Sequence, residues 1–140
     1  MALQFHPAIG TVVICDYNGF VKPEMVKRRP AIVISPQFKH RGNLCSVVPL
    51  STSEPDIIMP YHYKLDWANK LLLPPYDSPF HWVKGDMFAT VSFSRLTLPH
   101  TKDRTGKRIY ITRTVSESDL KKIRECVLHS IDLSYLTVHL

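Results

Sequence analysis

A chain of 140 residues is long enough for one domain with its own core, and a hydrophobic fraction of 44% excludes a disordered chain. Eighteen Lys and Arg against 12 Asp and Glu give a net charge of +6. This balance suits a polyanionic partner such as nucleic acid, although a basic surface with no such partner has the same total. The N-terminal sequence lacks the features of a signal peptide, and no apolar stretch reaches the ~20 residues of a membrane span. We therefore expect a single domain over residues 1–140, cytoplasmic and without a membrane partner.

The cysteine pattern excludes a protein stabilised by a disulfide framework and one stabilised by a zinc site. Cys15, Cys45 and Cys126 are odd in number, form no Cys-x-x-Cys pair and have apolar neighbours. This is typical of buried, reduced thiols. With neither zinc-ligand spacing nor a disulfide framework, no metal or other cofactor is predicted.

Short apolar runs rich in β-branched residues, separated by prolines and turns, predict a mainly β fold. In chain order the predicted strands are 11–17, 31–35, 44–51, 57–65, 82–86, 90–93 and 108–112. Pro49 indicates an edge or a bulge at the end of the third strand, because proline cannot donate to a strand ladder. Residues 66–81 contain three prolines and are predicted to form a loop.

The C-terminal part has the pattern of a helix. Ser116 followed by Asp119 resembles a capping box. Apolar residues then recur at spacings of three and four, which predicts a core-facing helical stripe; they are Leu120, Ile123, Val127 and Ile131. Antiparallel strands followed by one helix predict a compact α+β domain, a barrel-like sheet with a helical cap.

The most unusual segment is residues 22–30, KPEMVKRRP. It carries Lys22, Lys27, Arg28 and Arg29 together with Glu24. Such a run is often a solvated loop, but Arg29 directly precedes a predicted buried strand and should be held rigidly. A rigid guanidinium offers a planar fork for a phosphate group.

Three short blocks follow one another along the chain. The first combines Gly10, Asp16 and Glu24 with Arg29-Pro30-Ala31 before an apolar strand. The second is Val48-Pro49-Leu50-Ser51-Thr52, and the third is Val83-Lys84-Gly85-Asp86. In this order and at this spacing they resemble the MazF/PemK family of type II toxins, in which the second block is a Val-Pro-x-Thr or Val-Pro-x-Ser element and the third a Val-Arg-Cys-Asp element. Three blocks together make this resemblance stronger than any one of them alone would.

The resemblance implies a fold, an activity and partners. The fold is the antiparallel, SH3-like barrel or sheet of the MazF/CcdB toxins with a C-terminal helix. The activity is metal-independent, sequence-specific cleavage of single-stranded mRNA. Attack by the 2′-hydroxyl gives a 2′,3′-cyclic phosphate. The implied partners are RNA, a cognate antitoxin that occupies the RNA groove, and a second copy of the chain in a homodimer.

The same resemblance suggests the catalytic residues. Arg29 would stabilise charge on the scissile phosphate, because a guanidinium gives up a proton reluctantly. Ser51 lies at the position of the family's catalytic threonine, with Thr52 as the neighbouring alternative. Asp86 and Glu24 are the two candidates for the general base.

Further residues are predicted to bind substrate. Lys84 lies two residues before Asp86, so both would share one face of a strand. Lys27 and Arg28 extend the basic segment, and His62 lies between two tyrosines that could stack on bases. Lys102 and Arg104 belong to a second basic cluster that could follow phosphates. A solvated loop or an ordinary surface ion pair is the plainer interpretation of each.

A non-catalytic function remains an alternative. CcdB toxins of the same fold poison a topoisomerase and do not cut RNA. An inactive RNA- or DNA-binding module is also consistent with Ser51 in place of threonine and Lys84 in place of arginine.

Overall fold

The computed structural model describes residues 2–66 and 72–140. These residues form nine strands and one α-helix, with short 3₁₀ turns at Gly85–Met87, Phe93–Arg95 and Ser134–His139. The elements are β1 (Val12–Cys15), β2 (Arg29–Val33), β3 (Leu44–Ser51), β4 (His62–Asp66), β5 (Phe80–Lys84), β6 (Ala89–Ser92), β7 (Leu96–Thr97), β8 (His100–Lys102), β9 (Arg108–Tyr110) and α1 (Glu117–Ser130).

Seven of these strands form one antiparallel sheet. Its order is β4-β5-β3-β2-β1-β7, and β6 also pairs with β3. β8 and β9 form a separate hairpin. The predicted mainly β fold with a late helix is confirmed, but the sheet is open and does not close into a barrel.

β3 is a central strand, so of the two interpretations of Pro49, an edge or a bulge at the end of the strand, the edge is wrong. One side of β3 pairs with β2, while the other side pairs first with β6, up to Val47, and then with β5, from Leu50. Pro49 therefore lies where β3 changes partner, at a position where no ladder donor is needed.

Hydrophobic side chains cover both faces of the sheet. Along β1, Val12 and Ile14 point to one face, whereas Val13 and Cys15 point to the other. α1 covers the first face, and its Ile123 is fully buried there. The predicted cap is confirmed, since the Ser116 Oγ accepts a 3.1 Å hydrogen bond from the Asp119 backbone N–H. Ile131 differs from the predicted stripe: it follows the helix and is 48% exposed.

Several predicted boundaries were wrong. Residues 57–61 precede β4 as turns and irregular chain rather than forming its first half, and Ile57 is 73% exposed. The predicted loop 66–81 includes the last residue of β4 and the first two of β5, and residues 67–71 lie outside the described part of the chain. Within the described part, no helix has the length and apolar character needed to cross a membrane.

Candidate functional site

Arg29 and Ser51 lie on the sheet face opposite α1, just past the end of the β2–β3 ladder. The last pair of that ladder is Ala31–Pro49, and Arg29 and Ser51 are each two residues beyond it along their strands. Arg29 alternates with Ala31 and Val33, and Ser51 with Val47, whose side chains pack on the face away from the helix. Both side chains line one groove, so the guanidinium and the hydroxyl belong to one site.

A groove with a volume of about 620 Å³ surrounds this pair. It is lined by Arg29, Ser51, Lys84, Lys27 and Glu24, all of which the sequence had suggested, and also by Lys22. Four cations and one carboxylate therefore face a single concave surface. Such an excess of positive charge favours a phosphate-bearing ligand.

Arg29 and Lys84 are poised for an anion. The Nε of Arg29 is buried and has no hydrogen-bond partner among residues 2–66 and 72–140. A buried donor without an acceptor costs free energy, which a phosphate oxygen could recover. Burial lowers the pKa of Lys84, and the charge of Arg29 lowers it further against the opposing effects of Asp86 and Asp56.

Asp86 does not share a strand face with Lys84, as the sequence had suggested. β5 ends at Lys84, and Asp86 lies in the following 3₁₀ turn. In the described part of the chain the one salt bridge is Lys122–Glu125, so none joins these two residues. Asp86 lines an adjacent groove of about 420 Å³ that also includes Glu24.

Glu24 lies at the junction of the two grooves and lines both. Its Oε1 accepts a 3.0 Å hydrogen bond from the Val21 backbone N–H, which holds the carboxylate within its own turn. Asp86 is exposed. Of the two predicted bases, Glu24 therefore lines the cationic groove and is anchored, whereas Asp86 lines the adjacent groove and is open to solvent.

His62 pairs with Lys84 across β4 and β5, at the edge of the same face. Its Nδ1 accepts a hydrogen bond from the Met59 backbone N–H at 3.0 Å, which fixes the neutral tautomer with hydrogen on Nε2. Burial and the nearby Lys84 charge lower the pKa of His62. His62 is thus placed to donate a hydrogen bond, as expected of a residue that binds rather than abstracts a proton.

Other predicted residues lie elsewhere. Arg28 does not line the groove of Arg29. It lines a small cavity of about 190 Å³, together with Tyr76 and His100. Thr52 is exposed and does not line the groove, so Ser51 is the hydroxyl that faces Arg29. Lys102 ends β8 and Arg104 follows in its hairpin turn, and neither lines the groove.

Gly85 is a positioning residue that the sequence analysis did not single out. A Cβ at this position would lie 2.6 Å from the Cys126 Cβ and 2.8 Å from the Tyr61 carbonyl oxygen. The close approach of α1 therefore fixes the turn between Lys84 and Asp86. The signal in the sequence was a glycine between two predicted site residues, at a place where the family element has cysteine.

Buried His81 gives a testable pH dependence. Burial, and secondarily the Arg29 charge, lower the pKa of His81 from 6.5 to about 4. In the unfolded chain this histidine titrates near its ordinary value, so between pH 6.5 and 4 the unfolded state binds more protons. This contribution to stability is complete above pH 6.5 and decreases by about 3 kcal/mol as the pH falls to 4.

Urea unfolding at pH 7 and pH 4.5 should therefore show a smaller pH effect in His81→Gln than in the parent chain. His139→Gln, at an exposed histidine, is the matched control and should keep the parent's pH effect. An equal change in the free energy of unfolding between the two pH values in all three proteins would contradict the lowered pKa of His81.

Comparison with known proteins identifies the family. Residues 8–131 match the model of the PemK-like, MazF-like toxin of type II toxin-antitoxin systems. The chain belongs to this family. The uncharacterized protein YifN of Escherichia coli K12 is 27% identical over 150 residues, covering 94% of this chain and 96% of YifN. An uncharacterized protein of Haemophilus influenzae Rd is 28% identical over 144 residues, covering 95% of each chain.

Solved structures agree on the fold. MazF of Deinococcus radiodurans (Form-I) matches with a TM-score of 0.60 at 16% identity, covering 92% of this chain and 99% of that one. MazE-MazF (Form-II) of the same organism matches with a TM-score of 0.55 at 17% identity, covering 94% and 100%. At such low identity these likenesses establish the fold of this PemK/MazF-family protein and leave its site to be argued from its own residues.

Proposed function

We propose that this PemK/MazF-family protein is an endoribonuclease toxin that cleaves single-stranded mRNA. The observation that carries the proposal is the groove in which Arg29, Ser51 and Lys84 converge with a surplus of positive charge. RNA supplies its own nucleophile, the 2′-hydroxyl, so the protein has only to bind, orient and move protons.

The proposed reaction is an in-line displacement at phosphorus. A carboxylate removes the proton of the 2′-hydroxyl, and the 2′-oxygen bonds to the adjacent phosphorus. The bond to the 5′-oxygen breaks, that oxygen takes up a proton from solvent water, and the carboxylate returns its own proton to solvent. The products are a 2′,3′-cyclic phosphate and a 5′-hydroxyl. Arg29 and Lys84 stabilise the charge that builds up on the non-bridging oxygens, and the Ser51 hydroxyl donates to one of them.

Two carboxylates are candidates for the base, and their pH profiles separate them. Loss of the true base, in Glu24→Gln or Asp86→Asn, should remove the acid limb of the pH–rate profile. A variant that lowers the rate but keeps that limb would identify a carboxylate that only positions other groups. We propose that removal of the 2′-hydroxyl proton needs no metal ion.

Ser51 should contribute more than Thr52. Ser51 is 4% exposed, and its Oγ accepts a hydrogen bond from the Ser53 backbone N–H at 3.1 Å, which leaves the hydroxyl hydrogen free to donate. Ser51→Ala should lower the cleavage rate roughly 100-fold. Ser51→Thr should restore most of it, and Thr52→Ala should cause a much smaller loss. Equal losses for the two alanine variants would contradict the assignment.

The proposed nucleophile can be tested on the substrate alone. An RNA with a single 2′-deoxy nucleotide immediately 5′ of the scissile phosphate should resist cleavage at that position and be cut normally at others. Unimpaired cleavage at the substituted position would overturn the proposed mechanism.

An antitoxin and a second copy of this chain are the proposed protein partners. The MazE-MazF structure is a complex of that toxin with its antitoxin, and this chain shares the toxin fold. A strongly basic groove also suits an acidic antitoxin segment. Co-expression with the product of the neighbouring gene should yield a complex without RNase activity, whereas independent purification of the two proteins would contradict this partner.

A further inference from the structure

The loop between β2 and β3 has features that the cleavage site does not explain. This segment, residues 36–43, lies at the opposite end of the two strands from Arg29 and Ser51, because β2 begins at Arg29 and β3 ends at Ser51. It carries Lys39, His40 and Arg41, and residues 35–46 contain no Asp or Glu. The loop is therefore a local cationic patch separate from the groove.

An aromatic ring is presented in the middle of this patch. Phe38 is 50% exposed, and the Cζ of Arg41 lies 4.9 Å from its ring centroid. The guanidinium lies over the ring, and half of the side-chain surface remains exposed to solvent. An exposed aromatic beside cations is the arrangement on which single-stranded nucleic acids stack.

The loop is held in a defined shape. Arg41 Nη2 donates a 3.0 Å hydrogen bond to the Ser35 Oγ, which also accepts from the Ser46 backbone N–H at 3.0 Å. His40 and Asn43 adopt left-handed backbone conformations, with φ of 68° and 61°. The Asn43 carbonyl accepts a 2.9 Å hydrogen bond from the Phe93 N–H. Residues 37–42 line a shallow surface hollow of about 410 Å³ that is largely open to solvent.

We infer that the 36–43 loop is a second contact site for single-stranded nucleic acid. A base stacks on the open face of Phe38, and Lys39 and Arg41 bind the flanking phosphates. The inference rests on the proposed function in that RNA is the natural ligand. It adds a docking point remote from the scissile phosphate, which would lengthen the stretch of RNA that the protein holds.

The length of β3 sets the reach of this second site. Its eight residues, at ~3.4 Å each, separate the loop from Ser51 by roughly 24 Å. An extended single strand covers roughly twice the ~3.4 Å rise of a stacked one per nucleotide, so three nucleotides are too short to span this distance. Oligonucleotides of three nucleotides should therefore reach one site only, whereas fifteen nucleotides should reach both.

Fluorescence anisotropy with labelled dT3 and dT15 tests the inference without any cleavage. Phe38→Ala should weaken dT15 binding about tenfold, the usual effect of losing one stacking contact, and should reduce the advantage of dT15 over dT3. Tyr135→Ala, at another exposed aromatic (69%), is the matched control and should bind both probes as the parent does. Unchanged dT15 affinity in Phe38→Ala would overturn the inference.

A second variant guards against a local folding defect in Phe38→Ala. Lys39→Ala leaves the ring in place and should reduce the slope of log affinity against log salt for dT15 by about one. An unchanged slope would count against the loop as a phosphate contact. Because these probes lack a 2′-hydroxyl, the binding result stands whether or not the protein cleaves RNA.

Discussion

Arg29→Ala should abolish RNA cleavage, lowering the rate at least 100-fold, while the melting temperature changes little. We expect this loss of activity because Arg29 and Ser51 line the same groove, where the guanidinium would stabilise charge on the scissile phosphate. Removing one donor that stabilises transition-state charge typically costs this much. Stability should change little because the buried Nε has no hydrogen-bond partner in the described residues, so the substitution breaks no such contact.

The control for this prediction is Arg124→Ala, an arginine on α1 outside the groove. It removes the same charge from the protein as a whole, so any effect of net charge on RNA binding should be equal in the two variants. Arg29→Lys keeps the charge but loses the planar fork, and it should recover only part of the activity. Full activity in Arg29→Ala would show that the groove is not the catalytic site.

Gly85→Ala should be among the most destabilising single substitutions outside the core. The added Cβ would meet the Cβ and the backbone carbonyl carbon of Cys126 at 2.6 and 2.8 Å, and the Tyr61 carbonyl oxygen at 2.8 Å. Two of these three atoms are backbone and cannot rotate away. We expect a loss of about 3 kcal/mol and a fall in melting temperature of about 10 °C.

Gly42→Ala is the matched control, since a Cβ there meets nothing within 4 Å. Its stability should stay within about 0.5 kcal/mol of the parent. At temperatures where it is still folded, Gly85→Ala should also cleave RNA more slowly than the parent chain, because the displaced turn moves Lys84 and Asp86. A melting temperature equal to that of Gly42→Ala would contradict the packing that places this turn.

The sequence predicted those elements whose signals are local. β3 was predicted with its observed bounds because its β-branched run and flanking polar residues coincide with the strand. The start of α1 was predicted because Ser116 and Asp119 form the cap through a contact three residues apart. Arg29 and Ser51 come from motif blocks that lie on adjacent strands, and both line one groove; their catalytic role stays a prediction.

Features that depend on contacts distant in sequence could not be predicted in this way. Residues 57–61 look like a strand because they are apolar, yet Ile57 and Ile58 are exposed in front of β4. The strand expected through Asp86 ends at Lys84 because Gly85 packs on Cys126 of α1. Arg28 and Arg29 are adjacent in the sequence but line different cavities, because Arg28 lies in the loop before β2 and Arg29 is the first residue of that strand.

Incubation of the purified protein with a long single-stranded RNA in excess EDTA shows whether this protein is a metal-independent endoribonuclease. We expect discrete fragments whose 3′ ends carry a 2′,3′-cyclic phosphate and whose 5′ ends carry a hydroxyl, and we expect Arg29→Ala to produce none. RNA that is bound but stays intact, under conditions in which the protein is folded, would rule out the endoribonuclease and favour a non-catalytic binding protein.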